Sequence, residues 1–232
     1  MVSVGESAED RPLLVAEDVA RSYGRTVALA PTTLEVRGGD SLALIGPNGA
    51  GKSTLLSILA GALAATEGRV TIAYGDHRGP KVGWVPQRPA HYARLSAREN
   101  LELFARLEDV EEPERAAERL LRLVELPADD RPAAELSAGN QQRLNLAIAL
   151  LAQPDVLLLD EPTASLDPRQ RRRFWEVASR VPEQGGAVVF ATQNLEELER
   201  VANRVAVLLE GRLVFDGSVQ DFAQAPEADV FA

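Results

Sequence analysis

Gly46-Pro47-Asn48-Gly49-Ala50-Gly51-Lys52-Ser53-Thr54 decides how this chain is read. The apolar run Ser41–Ile45 precedes it, and the helical spacing Leu55, Leu56, Ile58, Leu59, Leu63 follows, with Gly61 and Gly68 expected to bracket the helix end. Strand, glycine-rich loop, helix is the context in which a phosphate-binding loop works. Glycines let the backbone curl so that successive N–H groups face one anion, and the helix N-terminus adds a positive field. Lys52 offers a compact ammonium to the β- and γ-phosphates, and Ser53 a hydroxyl to Mg²⁺. Of 25 basic residues only Lys52 and Lys81 are lysine, so arginine would not serve at 52. Gly46, Asn48, Gly49, Ala50, Gly51, Lys52, Ser53 and Thr54 are the expected nucleotide-binding set.

Downstream, Val156-Leu157-Leu158-Leu159-Asp160-Glu161-Pro162 carries two carboxylates at the end of an apolar strand. Ligands bind at that edge of an open α/β sheet. Asp160 is placed to hold Mg²⁺, directly or through water, and Glu161 to orient or deprotonate an attacking water.

Residues 13–36 mix apolar and polar positions at short spacing, as in a half-solvated antiparallel sheet. Val70–Ala73 and Val82–Pro86 read as strands. Residues 97–153 have helical spacing, with Pro113, Pro127 and Pro132 at breaks or first turns and a last helix over Asn140–Leu151. Then come Val156–Leu159 (strand), Pro168–Val181 (helix), Ala187–Ala191 (strand), Leu195–Ala202 (helix), Val205–Leu209 (strand) and a hairpin at Gly211. This alternation predicts an α/β fold: a P-loop NTPase core with a mostly parallel sheet, an N-terminal antiparallel β-subdomain and an α-helical insertion of about 90–153. One domain is expected over 13–225, with tails at 1–12 and 226–232.

The 232 residues include no cysteine, which excludes disulfides, thiolate zinc sites, iron–sulfur clusters and cysteine catalysis. A net charge of -10 points away from nucleic acid as partner. No apolar stretch approaches the roughly 20 residues needed to span a bilayer, and polar Met1–Arg11 does not read as a signal peptide. Any membrane role is therefore expected through a partner chain. Arg169, Arg171, Arg172 and Arg173, flanked by Asp167 and Glu176, read as a solvated helix face. His77 is expected to be solvated in a Gly75–Gly79 loop.

Leu136-Ser137-Ala138-Gly139-Asn140-Gln141-Gln142-Arg143 precedes the carboxylate pair by about one helix. This order resembles the ATP-binding cassette (ABC) family, and the likeness runs from about residue 13 to 216. Tyr23 resembles its adenine-stacking aromatic. Gln87, in Trp84-Val85-Pro86-Gln87, resembles the glutamine that touches Mg²⁺ and the attacking water. Ser165-Leu166-Asp167 resembles the loop that crosses to a partner subunit. The resemblance implies ATP and Mg²⁺ shared in a homodimer or heterodimer of cassettes, with Ser137 and the Gly139 N–H reaching the γ-phosphate of the other chain. It implies a transmembrane permease as partner and a peripheral place on the cytoplasmic face of the cell membrane, with His91 and Tyr92 candidates for the permease contact. Leu95–Leu101 resembles exporter cassettes; a soluble ABC ATPase and a weakly hydrolysing regulatory subunit are the alternatives. Two departures stand out. Ala138 and Asn140 replace the usual glycine and glutamine. Gln193, in Ala191-Thr192-Gln193-Asn194, replaces the usual histidine, and a neutral donor makes the weaker hydrogen bond.

Overall fold

The computed structural model describes residues 12–72, 80–226 and 228. Expectations for His77, Ala73, the tail 1–11 and most of 226–232 lie outside these residues.

In chain order the elements are β1 (Pro12–Tyr23), β2 (Thr26–Arg37), β3 (Ser41–Ile45), α1 (Lys52–Leu59), β4 (Glu67–Ile72), β5 (Val82–Val85), α2 (Ala97–Leu107), α3 (Pro113–Leu123) and α4 (Ala138–Ala149). The chain continues with β6 (Val156–Asp160), α5 (Pro168–Ala178), α6 (Arg180–Glu183), β7 (Ala187–Ala191), α7 (Leu195–Val201), β8 (Arg204–Leu209), β9 (Arg212–Ser218) and α8 (Val219–Phe222). Two sheets form: antiparallel β2-β1-β4, and a six-stranded sheet β5-β6-β7-β3-β8-β9 that is parallel except for β9.

β3, β6 and β7 are buried at every position, as continuous apolar runs in the middle of a parallel sheet should be. Because side chains alternate along a strand, each feeds two different cores. Leu42, Leu44, Val156, Leu158, Val189 and Ala191 pack with α1 and with Leu14, Leu29 and Leu34 of the antiparallel sheet. Ala43, Ile45, Leu157, Leu159, Val188 and Phe190 pack on the opposite face, with α2 to α5. The sheet thus divides the interior, and its C-terminal edge carries the ends of β3, β6 and β7 side by side.

The helical region is fixed by local chemistry. Ser96 caps α2 in a capping box with Glu99: its hydroxyl accepts from the Glu99 N–H, and Glu99 accepts from the Ser96 N–H at 2.8 Å. Fully buried Asn100 accepts from the Tyr92 N–H at 2.7 Å and donates to the Tyr92, Leu95 and Ser96 carbonyls. That single amide holds the approach to α2 in place.

Three of the departures from the expected boundaries have a local cause. α4 begins at Ala138 rather than Asn140, because the Ser137 hydroxyl caps it by accepting from the Asn140 N–H. The helix predicted over 168–181 divides at Ser179, since Pro182 has no N–H to offer the Ala178 carbonyl. Gly68 lies in β4, not at the end of α1. Its φ is +73°, and a Cβ there would lie 2.3 Å from the Glu17 and Asp18 carbonyl oxygens, so the glycine permits a bulge between β1 and β4.

Candidate functional site

The loop between β3 and α1 is built against backbone on two sides. A Cβ on Gly46 would lie 2.2 Å from the Leu208 carbonyl oxygen. Gly51, the N-cap of α1, has φ +102°, and a Cβ there would meet the Ala28 carbonyl at 2.8 Å. The Gly211 N–H donates to the Ala50 carbonyl at 3.1 Å and so ties the loop to the β8–β9 hairpin. The first-turn amides of α1 have no intrahelical acceptor and are free to face an anion.

Lys52 is buried, and its ammonium donates to the Gly46 carbonyl at 2.7 Å and the Pro47 carbonyl at 3.0 Å. Desolvation lowers its pKa, opposed by the charges of Glu161 and Asp160. The Ser53 hydroxyl donates to Asp160 Oδ1 at 3.0 Å across 107 residues of sequence. Asp160 is 4% exposed, and burial raises its pKa; the Ser53 hydrogen bond and Lys52 lower it, and Glu161 raises it further. The Ser53–Asp160 donor pair fits Mg²⁺: hard oxygens, one carboxylate, the remaining ligands from water and phosphate. Among the described residues no group of three or more His, Cys, Asp or Glu could hold a metal by itself.

Beyond Asp160 the chain turns sharply. Glu161 adopts a left-handed conformation, φ +47°, and its N–H donates to the Ala191 carbonyl at 3.1 Å. Gln193 uses one amide nitrogen twice, donating to Glu161 Oε1 at 2.7 Å and to Asn48 Oδ1 at 2.8 Å. Three segments therefore meet in one hydrogen-bonded bridge: Asn48 from the phosphate loop, Glu161 from the end of β6 and Gln193 from the end of β7.

Among the described residues, the other expected ones make no hydrogen bond to this bridge. Gln87 is exposed just past β5, whose Val85 pairs with Leu159 of β6. Tyr23 is 52% exposed at the end of β1, with the Arg21 guanidinium 4.6 Å from its ring centroid. Exposed Ser137 and buried Gly139 sit at the N-terminus of α4, where Gly139 faces the side chain of Gln170 on α5 rather than the loop. His91 Nδ1 lies 2.9 Å from Asn145 Oδ1, and Tyr92 is exposed beside Phe104.

One cluster escaped the sequence reading. Glu197 of α7 is 3% exposed. It accepts from the hydroxyls of Thr163 and of Thr192, the latter at 2.8 Å, and lies 3.4 Å from Arg171 Nε. The arginine run on α5 is accordingly not a uniform solvated face. Arg169 and Arg172 are exposed, but Arg171 turns to Glu197, and Arg173 pairs with Glu125 and Glu176 at 2.9 Å each.

A family model described as ABC transporter matches residues 29–164. The linearmycin resistance ATP-binding protein LnrL of Bacillus subtilis (strain 168) is 32% identical over 219 residues, which cover 90% of this chain and 70% of that protein. The Nod factor export ATP-binding protein I of Sinorhizobium fredii is 35% identical over 209 residues, 86% of this chain and 61% of that protein. Among solved structures, the dimeric ATP-binding cassette MJ0796 in a post-hydrolysis state bound to ADP and Pi superimposes with a TM-score of 0.78. It is 27% identical, and the match covers 89% of this chain and 98% of that one.

Proposed function

This chain belongs to the ABC transporter family of ATP-binding cassettes, and from that premise we propose that it hydrolyses ATP to drive export through a separate membrane permease. The bridge Asn48–Gln193–Glu161 beside the Ser53–Asp160 pair carries the reading, because it sets a carboxylate and a neutral donor at the mouth of a phosphate loop. Export is supported by the relatives named for linearmycin resistance and for Nod factor export, and by the Leu95–Leu101 stretch.

The loop amides and Lys52 hold the β- and γ-phosphates, and Tyr23 offers its ring to the adenine. Ser53 and Asp160, with Gln87, would hold Mg²⁺, which neutralises phosphate charge when bound. Glu161 accepts a proton from water as its oxygen attacks the γ-phosphorus. The bond from that phosphorus to the β-phosphate bridging oxygen breaks, leaving ADP and inorganic phosphate. Gln193 fixes Glu161 through one N–H and, by releasing Asn48, can donate the other to a γ-phosphate oxygen. Ser137 and the Gly139 N–H serve the site of a second cassette, the same or a different chain. ATP therefore favours the closed pair, and its hydrolysis releases it. Among the described residues no helix is long and apolar enough to cross a membrane. The place proposed is the cytoplasmic face, through the permease, with His91 and Tyr92 at that contact.

Reconstituted with its permease, the wild-type chain should hydrolyse ATP, and Glu161→Gln should bind ATP without turnover and elute as a dimer. Turnover no higher than that of Lys52→Ala would sink this reading. The neutral Gln193 supports a slower cassette. Gln193→His should then raise turnover, and an unchanged rate would show that charge at 193 is not limiting.

A further inference from the structure

We propose that Glu197 is a positioning residue for ATP hydrolysis, a role that rests on the ATPase reading above. It hydrogen-bonds no residue of the phosphate loop among those described. It binds instead the other two segments of the bridge, those that carry Glu161 and Gln193. Thr163 lies two residues beyond Glu161, and Thr192 is the residue before Gln193. The same Thr192 oxygen accepts from the Asn194 N–H at 3.0 Å, so Gln193 is fastened on both sides. Asn194 caps α7 by accepting from the Glu196 N–H at 2.9 Å, and its carbonyl accepts from the Glu197 N–H at 3.1 Å. Glu197 and the Gln193 turn are thus one rigid piece.

Two features are explained by this arrangement. Glu161 holds a left-handed conformation that a non-glycine residue keeps only when its surroundings impose it. The Glu197–Thr163 bond on one side and the Glu161 N–H to Ala191 bond on the other impose it. A carboxylate is also costly to bury without partners, and α7 has exposed Glu196 and Glu199 that show the alternative. Glu197 is buried with two hydroxyl donors and the Arg171 guanidinium, on the wall of a cleft of about 830 Å³ that also exposes Glu161 and Gln193. Its energy goes into fixing the separation between the ends of β6 and β7, across which the 2.7 Å Gln193–Glu161 bond is made.

The test compares Glu197→Ala, Glu197→Gln and wild type in the full chain reconstituted with its permease, with Lys52→Ala as the baseline. Misplacing a catalytic group by about 1 Å can cost about 10²-fold. Glu197→Ala should therefore lower kcat by roughly 10- to 100-fold. KM for ATP and the affinity for a fluorescent ATP analogue should stay within about twofold, because the loop is untouched. Glu197→Gln keeps one acceptor and adds a donor for the second threonine hydroxyl, and should recover most of the rate. Unchanged kcat in Glu197→Ala, or a loss of ATP affinity that matches the loss of rate, would overturn the proposal. If Glu197→Ala does not fold, Thr192→Val decides. Its effect on kcat should vanish in a Gln193→Ala background, and additive losses would refute a role exerted through Gln193. A flat wild type, equal to Lys52→Ala, defeats the ATPase reading itself and this role with it. An active wild type with an equally active Glu197→Ala defeats this role alone.

Discussion

A buried carboxylate whose pKa is raised binds its proton more tightly in the folded chain than in the unfolded one. Stability therefore falls as pH rises from the ordinary aspartate range through the raised pKa. Asp160 is such a group, chiefly through desolvation. Asp160→Asn keeps an acceptor for the Ser53 hydroxyl and removes the charge. It should raise stability at pH 7 by about 1 kcal/mol, some 2–4 °C in Tm for a chain of this length, while abolishing turnover. The gain should shrink in melts at lower pH as the wild-type Asp160 takes up its proton. Gln193→Glu removes both donated hydrogen bonds and sets a like charge beside Glu161, so kcat should fall by about 10²-fold or more in a steady-state assay. Lys52, Ser53, Asp160 and Glu161 were legible because distinctive residue types stand at fixed spacing in fixed context. Glu197 was not: it shares α7 with Glu196 and Glu199, and only burial separates it from them. The Asn48–Gln193 contact spans 145 residues, and no local pattern announces a pairing at that distance.

Strands were the easiest elements to read, since β3, β6 and β7 are uninterrupted apolar runs between breakers, and the structure keeps them within a residue of expectation. Helix ends were harder, because caps and prolines act through single hydrogen bonds. Ser137 moved the start of α4, and Pro182 divided α5 from α6. Gly68 looked like a helix terminator and is a bulge residue, a distinction set by the facing Glu17 and Asp18 carbonyls. Ser96→Ala removes the hydroxyl half of the α2 capping box and should cost about 1 kcal/mol in denaturant unfolding, with the slope m unchanged. Gly46→Ala puts a methyl into the Leu208 carbonyl, so it should abolish binding of a fluorescent ATP analogue more completely than it lowers Tm.

The two sheets are joined by a cation as well as by the apolar core. Arg204 of β8 donates to both Asp216 oxygens, at 2.8 and 2.6 Å, to Asp40 at 3.0 Å and to the Glu35 carbonyl of β2 at 2.9 Å. Arg204→Met leaves two carboxylates and a carbonyl without their shared donor. It should cost about 2–3 kcal/mol by urea unfolding, with more than half of that persisting in 1 M salt because the site is largely shielded from solvent. Assignment of each strand residue to one of the two cores follows from parity alone: Leu157 and Leu159 serve one side of the sheet, Val156 and Leu158 the other. β6 is thus read in a frame of two. Deleting one residue from it would act as a spatial frameshift, exchanging the occupants of both interiors and turning Asp160 away from Ser53. Deleting two would shorten the strand in phase. An alternation that looks like simple packing is also the ruler that delivers a carboxylate to the correct face of the sheet.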